Sequence, residues 1–173
     1  MKRSVLAYFV IGALSIAIGV YFGARQLAPE PAKSSAVIEL MAQSLPDANG
    51  KTQRLDQWQG KILVVNFWAT WCAPCVKEMP ELAALQTELA GKQIQFLGIG
   101  IDSATNISEF ASKYKITYPL IVAGMGGAKL TRAFGNQAGG LPYTVIIGRQ
   151  GEVHKTYLGQ LNMEELRRDL AAM

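Results

Sequence analysis

The chain has 173 residues, half of them hydrophobic, which suits one domain with a sizeable core plus an appendage. Its formal charge of +4 is spread thinly. The basic residues form no cluster and do not alternate with aromatic ones, so the composition excludes a nucleic-acid binder and reads as a solvated surface.

Met1-Lys2-Arg3 is followed by about 20 uncharged residues, 4–24, a length that can cross a hydrocarbon core as a helix. Tyr8, Tyr21 and Phe22 lie toward its ends, where aromatic side chains favour the interface, and Lys2 and Arg3 place the N-terminus in the cytoplasm. A cleaved signal peptide is the rival reading. Phe22-Gly23-Ala24 and Gln26-Leu27-Ala28 oppose it, because each puts a large residue where cleavage wants a small one. The expected division is a cytoplasmic N-terminus and transmembrane anchor over 1–25, a tether over 26–36 with Pro29, Pro31 and paired serines, and a domain over 37–173.

Asn49-Gly50 signals a hairpin turn, with Leu55 and Trp58 beyond it available to pack on the domain. Ile62–Trp68 is a short apolar run and reads as a buried strand. Residues 73–90 read as a helix with Cys75, Met79, Leu82, Leu85 and Leu89 on one stripe and a kink at Pro80. Residues 94–101 form a second buried strand, so the strand–helix–strand unit is parallel and right-handed. Asn106 with Glu109 resembles the start of a helix, 118–122 a short strand ended by the glycines of 123–127, and 129–134 a brief helix stopped by Gly135. Strands over 144–147 and 153–157 suit an antiparallel hairpin, and Asn162 with Glu165 opens a last helix. His154 stands alone in a strand and reads as structural or exposed.

The chemistry concentrates at Trp71-Cys72-Ala73-Pro74-Cys75, which holds both cysteines of the chain. Cys72 falls where a strand gives way to a helix, and Pro74 falls in the first helical turn, where its missing N–H costs nothing. A thiol at a helix N-terminus meets unpaired N–H groups and the positive end of the helix dipole, both favouring the attacking thiolate. Cys75, one turn on, can displace a mixed disulfide. The rival readings are half of a zinc site, for which only His154 remains as a further His or Cys ligand, and an inert disulfide, whose very short loop offers little stabilisation.

The run from Asn66 to Leu82 (NFWATWCAPCVKEMPEL) and Gly140-Leu141-Pro142-Tyr143-Thr144 resemble the thioredoxin-like proteins of the TlpA/ResA type, from about Ser44 to the C-terminus. The resemblance implies a mixed central sheet with helices on both faces, an N-terminal hairpin, a helix-plus-strand insertion over about 104–124 and, ahead of these, the single membrane helix. It implies a cis peptide bond before Pro142, which would exclude metal from the thiols while Leu141 offers backbone groups to an extended substrate. Trp71, Ala73 and Pro74 join Leu141 as the substrate-facing set, with Trp71 shielding the sulfurs and Trp68 in the core. Glu78 is either a solvated helix charge or, as in the family, a carboxylate that influences cysteine titration. Asn66 stands where plain thioredoxin has a buried aspartate, so proton relay falls to Glu78 or water.

The catalytic set is thus Cys72, Cys75, Glu78 and Pro142, with a redox-active Cys72–Cys75 disulfide and no cofactor or metal. Ala73-Pro74 supplies no histidine or charge to stabilise a reduced thiolate strongly, whereas strong oxidants have a stabilised reduced form. With the resemblance, this favours a reductant in the bacterial cytoplasmic membrane, its domain facing the periplasm or cell exterior. The implied partners are an integral-membrane thiol donor and extracytoplasmic disulfide-containing proteins such as apocytochrome c. The alternatives are a disulfide-forming oxidant and a non-enzymatic copper carrier, which would need further soft ligands. A thiol peroxidase is disfavoured, because Thr70 precedes Cys72 by only two residues.

Overall fold

A computed structural model describes residues 34–173. The anchor expected over 4–24 and most of the tether lie outside the described residues. Among the described residues no helix is long and apolar enough to cross a membrane.

The core of the domain is a five-stranded sheet ordered β5-β4-β3-β6-β7. In chain order the strands are β3 (Ile62–Trp68), β4 (Ile94–Gly100), β5 (Leu120–Val122), β6 (Tyr143–Ile147) and β7 (Val153–Leu158). β3, β4 and β5 run parallel, while β6 is antiparallel to β3 and β7 antiparallel to β6. The sheet is therefore mixed, as expected. A hairpin of β1 (Ser44–Pro46) and β2 (Thr52–Arg54) precedes it, turning at Gly50 with φ +78°. The helices are α1 (Ser35–Met41), α2 (Ala73–Glu88), α3 (Ala104–Tyr114), α4 (Met125–Ala133) and α5 (Met163–Ala171).

Every residue of β3 is buried, so successive side chains supply both faces of the sheet. Ile62, Val64 and Trp68 pack with Met79, Leu82 and Leu85 of α2, Ile107 and Phe110 of α3, and Leu166 and Leu170 of α5. Leu63, Val65 and Phe67 pack on the opposite face with Val37 and Leu40 of α1, Leu55 and Trp58, and Leu130 of α4.

Several elements differ from the sequence expectation. Helix α1 opens at Ser35, inside the stretch read as tether, because Val37, Leu40 and Met41 find an apolar sheet face to cover. Helix α3 begins at Ala104 rather than near Asn106: Ser103 is its N-cap and accepts a bond from the Asn106 N–H at 3.1 Å. Helix α4 begins at Met125 and takes in Gly126 and Gly127. A Cβ on Gly127 would lie 2.8 Å from Ile101, so glycine there also permits close approach, while β5 ends at Val122 ahead of these glycines as expected. Helix α2 closes at Glu88 and continues through Pro80. Asn162 caps α5 as expected, accepting from the Glu165 N–H at 3.1 Å.

Candidate active site

Strand β3 ends at Trp68, and four residues later Cys72 is the N-cap of α2, in extended geometry at φ −91° and ψ 98°. Its sulfur accepts the Cys75 N–H at 3.3 Å, taking one of the donors that a helix start leaves unpaired. Cys72 and Cys75 are joined in a disulfide, with Cα atoms 5.3 Å apart. The two sulfurs are not equivalent: Cys72 keeps 6% of its surface exposed and Cys75 none. Trp71, Ala73 and Pro74 around Cys72 are exposed, Trp71 at 70%. Trp68 is fully buried, as its position in the apolar run implied.

The loop carrying Cys72 is tied to the end of β4. The Asp102 carboxylate accepts from both the N–H and hydroxyl of Thr70, and from Ser103 and Asn106. Partial burial pushes that carboxyl up, but the bonds from Thr70, Asn106 and Ser103 prevail and hold it below its usual range. Asp102 carries no role in the sequence analysis above. Its place at a strand end, directly before a helix-capping serine, was the available signal.

Pro142 precedes β6, and the pairing of Tyr143 with Phe67 puts it at the end of the sheet where β3 leads to Cys72. The Leu141–Pro142 bond is cis, and Pro142 is buried. The loop ahead is pinned by Asn136, whose Nδ2 donates to the Gly140 carbonyl at 2.8 Å. The Pro142 carbonyl accepts from the Gly159 N–H at 2.9 Å. Among the described residues no hydrogen bond engages the Leu141 N–H or C=O.

Glu78 lies one turn beyond Cys75 and is fully buried, which removes the reading of it as a solvated helix charge. Its Oε1 accepts from Asn66 Nδ2 at 2.8 Å and its Oε2 from the Leu161 N–H at 2.9 Å. The same Asn66 Nδ2 donates to Thr144 Oγ1 at 3.0 Å, linking β3 to β6 beneath the helix. Burial pushes the Glu78 carboxyl up to about 7, against the opposing effect of the bonds from Leu161 and Asn66. A carboxyl poised there exchanges a proton near neutrality. Only the fold brings Thr144 to Asn66 and the Leu161 N–H to Glu78. His154 is exposed on β7. Among the described residues no three His, Cys, Asp or Glu side chains converge as a metal site.

The Redoxin family profile matches residues 14–172. The chain is 27% identical over 174 aligned positions to the thiol-disulfide oxidoreductase ResA of Geobacillus thermodenitrificans, covering all of this chain and 95% of that one. It is 30% identical to ResA of Bacillus thuringiensis over 121 positions, 69% of this chain and 68% of the relative. Among solved structures, a thiol:disulfide interchange protein of the thioredoxin family from Chlorobium tepidum superposes with a TM-score of 0.65 at 28% identity, over 75% of this chain and 91% of that one. The alignment, the thioredoxin-like sheet and the joined cysteines agree, and the chain belongs to the Redoxin family as a thiol–disulfide oxidoreductase of the ResA type.

Proposed function

We propose that the protein works as a reductant of disulfides in extracytoplasmic proteins, with Cys72 as the attacking and Cys75 as the resolving sulfur. The observation that carries this reading is the asymmetry of the pair: Cys72 is the helix cap and reaches the surface, whereas Cys75 is enclosed one turn below. In the reduced protein the Cys72 thiolate attacks one sulfur of a substrate disulfide and releases the other as a thiolate. The Cys75 thiolate then attacks the Cys72 sulfur, releasing the second substrate thiol and forming the intramolecular disulfide. Two electrons leave the protein's dithiol and two enter the substrate.

Glu78 takes the proton of the Cys75 thiol as that sulfur becomes nucleophilic, a role supported by its burial and by a carboxyl poised near neutral pH. Trp71, Ala73 and Pro74 form the exposed ground around Cys72, and the unengaged Leu141 backbone offers an edge for an extended substrate segment, with Pro142 covering the pair. In the cell the residues 1–25 anchor the protein in the cytoplasmic membrane with this domain facing the periplasm or cell exterior. An integral-membrane thiol carrier supplies electrons, and apocytochrome c before haem attachment is a fitting substrate.

The test is the reduction potential of the full chain, equilibrated against defined thiol–disulfide buffers. A value near or below about −220 mV is expected; a value above about −150 mV would assign the protein to disulfide formation instead.

A further inference from the structure

Among the described residues, Asn66, Glu78, Thr131, Asn136 and Thr144 are polar or charged and buried. Asn66, Glu78 and Thr144 form the cluster beneath α2, and the Thr131 hydroxyl donates to the Ala128 carbonyl within α4. Asn136, 4% exposed, belongs to neither group. It stands in the loop between α4 and β6, and a buried amide is tolerated only where its polar atoms find partners. Its Nδ2 donates to the Gly140 carbonyl at 2.8 Å. Its backbone N–H donates to the Thr131 carbonyl at 3.0 Å, and its own carbonyl accepts from the Gly139 N–H at 3.2 Å. The neck of the loop is closed by the Tyr143 hydroxyl, which donates to the Phe134 carbonyl at 2.8 Å. The loop is thus held from within, and it leads directly into Leu141 and Pro142.

Fixing the Gly140 carbonyl fixes the peptide group to which it belongs. That group is planar, and the Gly140–Leu141 bond is trans, the cis bond being the next one along. In a trans peptide the C=O and N–H point opposite ways, so the Leu141 N–H is turned away from Asn136. It has no hydrogen-bond partner among the described residues, and Leu141 is half-buried, not enclosed. Gly139 and Gly140 have no Cβ to limit how this peptide plane turns, and a Cβ on Gly140 would lie 3.1 Å from Leu158 Cδ1. The restraint therefore comes from Asn136. We propose that Asn136 is a positioning residue for substrate binding: by holding the Gly140 carbonyl it aims the Leu141 N–H at a backbone carbonyl of the extended segment that carries the target disulfide. A donor on the carbonyl also polarises the whole amide, which makes its N–H the stronger donor.

The proposal rests on the reading of Leu141 as a substrate edge, and its test separates the two. Exchange by the reduced full chain is followed with a cystine-bridged extended peptide and with a small aromatic disulfide that has no peptide backbone. The second substrate reports the sulfurs alone, so the ratio of the two rates isolates the backbone contact. Asn136→Asp keeps the shape of the side chain and, as a carboxylate, cannot donate. The ratio is expected to fall about tenfold, the worth of one hydrogen bond. An unchanged ratio in the folded variant overturns the proposal, including the case in which both rates drop equally through loss of structure. Should the variant fail to fold, the Cys75→Ser full chain decides. Its Cys72 is joined by a disulfide to a single-cysteine peptide, and NMR reads the Leu141 N–H and the Asn136 Nδ2 protons before and after. The Leu141 N–H is expected to become protected from exchange, and an Asn136 Nδ2 proton to move downfield with it. A protected Leu141 with an unmoved Asn136 overturns the role of Asn136 alone; an unprotected Leu141 removes the substrate edge and the proposal with it. Neither readout depends on the direction of electron flow, which the reduction potential decides separately.

Discussion

The two faces of the central sheet are built on different terms. Beneath α1 and α4, Leu63, Val65, Phe67, Leu97, Val145 and Ile147 meet Val37, Leu40, Leu55 and Leu130, an apolar contact with its few buried polar groups satisfied locally. Beneath α2 the sheet carries Asn66 and Thr144 in its middle, and the helix sinks Glu78 onto them. Three polar atoms there go unpaired. The first face gives a rigid floor through packing alone; the second accepts the cost of dehydrating a carboxyl in order to hold it near the cysteines. Stability and chemistry are thus assigned to opposite sides of one set of strands, and alternation along β3 is what keeps them apart.

Cutting into the apolar face should produce the largest stability effect and leave the chemistry alone. Leu40 is fully buried on α1, and Leu40→Ala is expected to cost about 2–5 kcal/mol through lost transfer energy and the cavity left behind. Denaturant unfolding measures the loss, and stopped-flow thiol exchange on the folded fraction should give the parent rate. A rate that fell along with stability would show that the two faces are coupled after all.

The opposite face should reveal itself through pH. Glu78 has its folded-state value raised to about 7 from an ordinary 4.5. Below about pH 4.5 the carboxyl is protonated whether the chain is folded or not, and its burial carries no ionisation penalty. As pH rises toward 7 the unfolded chain releases this proton and the folded one retains it, so stability falls; above 7 the loss is complete. The span corresponds to roughly 3 kcal/mol. Glu78→Gln should abolish this component, so the difference between parent and variant stability, measured in urea at several pH values without reductant, should slope across that window. Parallel curves would mean that the carboxyl is not dehydrated in the folded protein.

The same contrast explains what could be read from sequence. The apolar run of β3, the strand-to-helix placement of Cys72, the Asn49-Gly50 turn and the Asn162 cap are local signals, and each element formed where its signal lay. Helix α1 was hidden because a seven-residue helix has little propensity of its own and becomes stable by covering Leu63 and Val65. The start of α3 offered overlapping caps, Ser103 and Asn106; the Asp102 carboxylate takes the Asn106 side chain at 2.7 Å and leaves Ser103 to cap. Glu78 borders the apolar stripe of α2, and periodicity alone treats such a flank position as solvated. Its burial depends on Leu161, 83 positions later, which no local pattern reports.

The smallest effect should come from the brace between the faces, where Asp102 holds Thr70 just ahead of Cys72. Thr70→Val preserves shape and the backbone bond to Asp102 while deleting the hydroxyl bond. A partly buried hydrogen bond to a charged acceptor sets the expected loss at about 1–2 kcal/mol, smaller than at either face because Ser103 and Asn106 still engage the carboxylate. With one bond fewer, the Asp102 carboxyl should also titrate higher than in the parent, by the same sign that its present bonds depress it. Exchange should keep its pH profile, since Glu78 and its partners are untouched. A profile displaced in Thr70→Val would place the proton control in the loop that presents Cys72 instead of beneath α2.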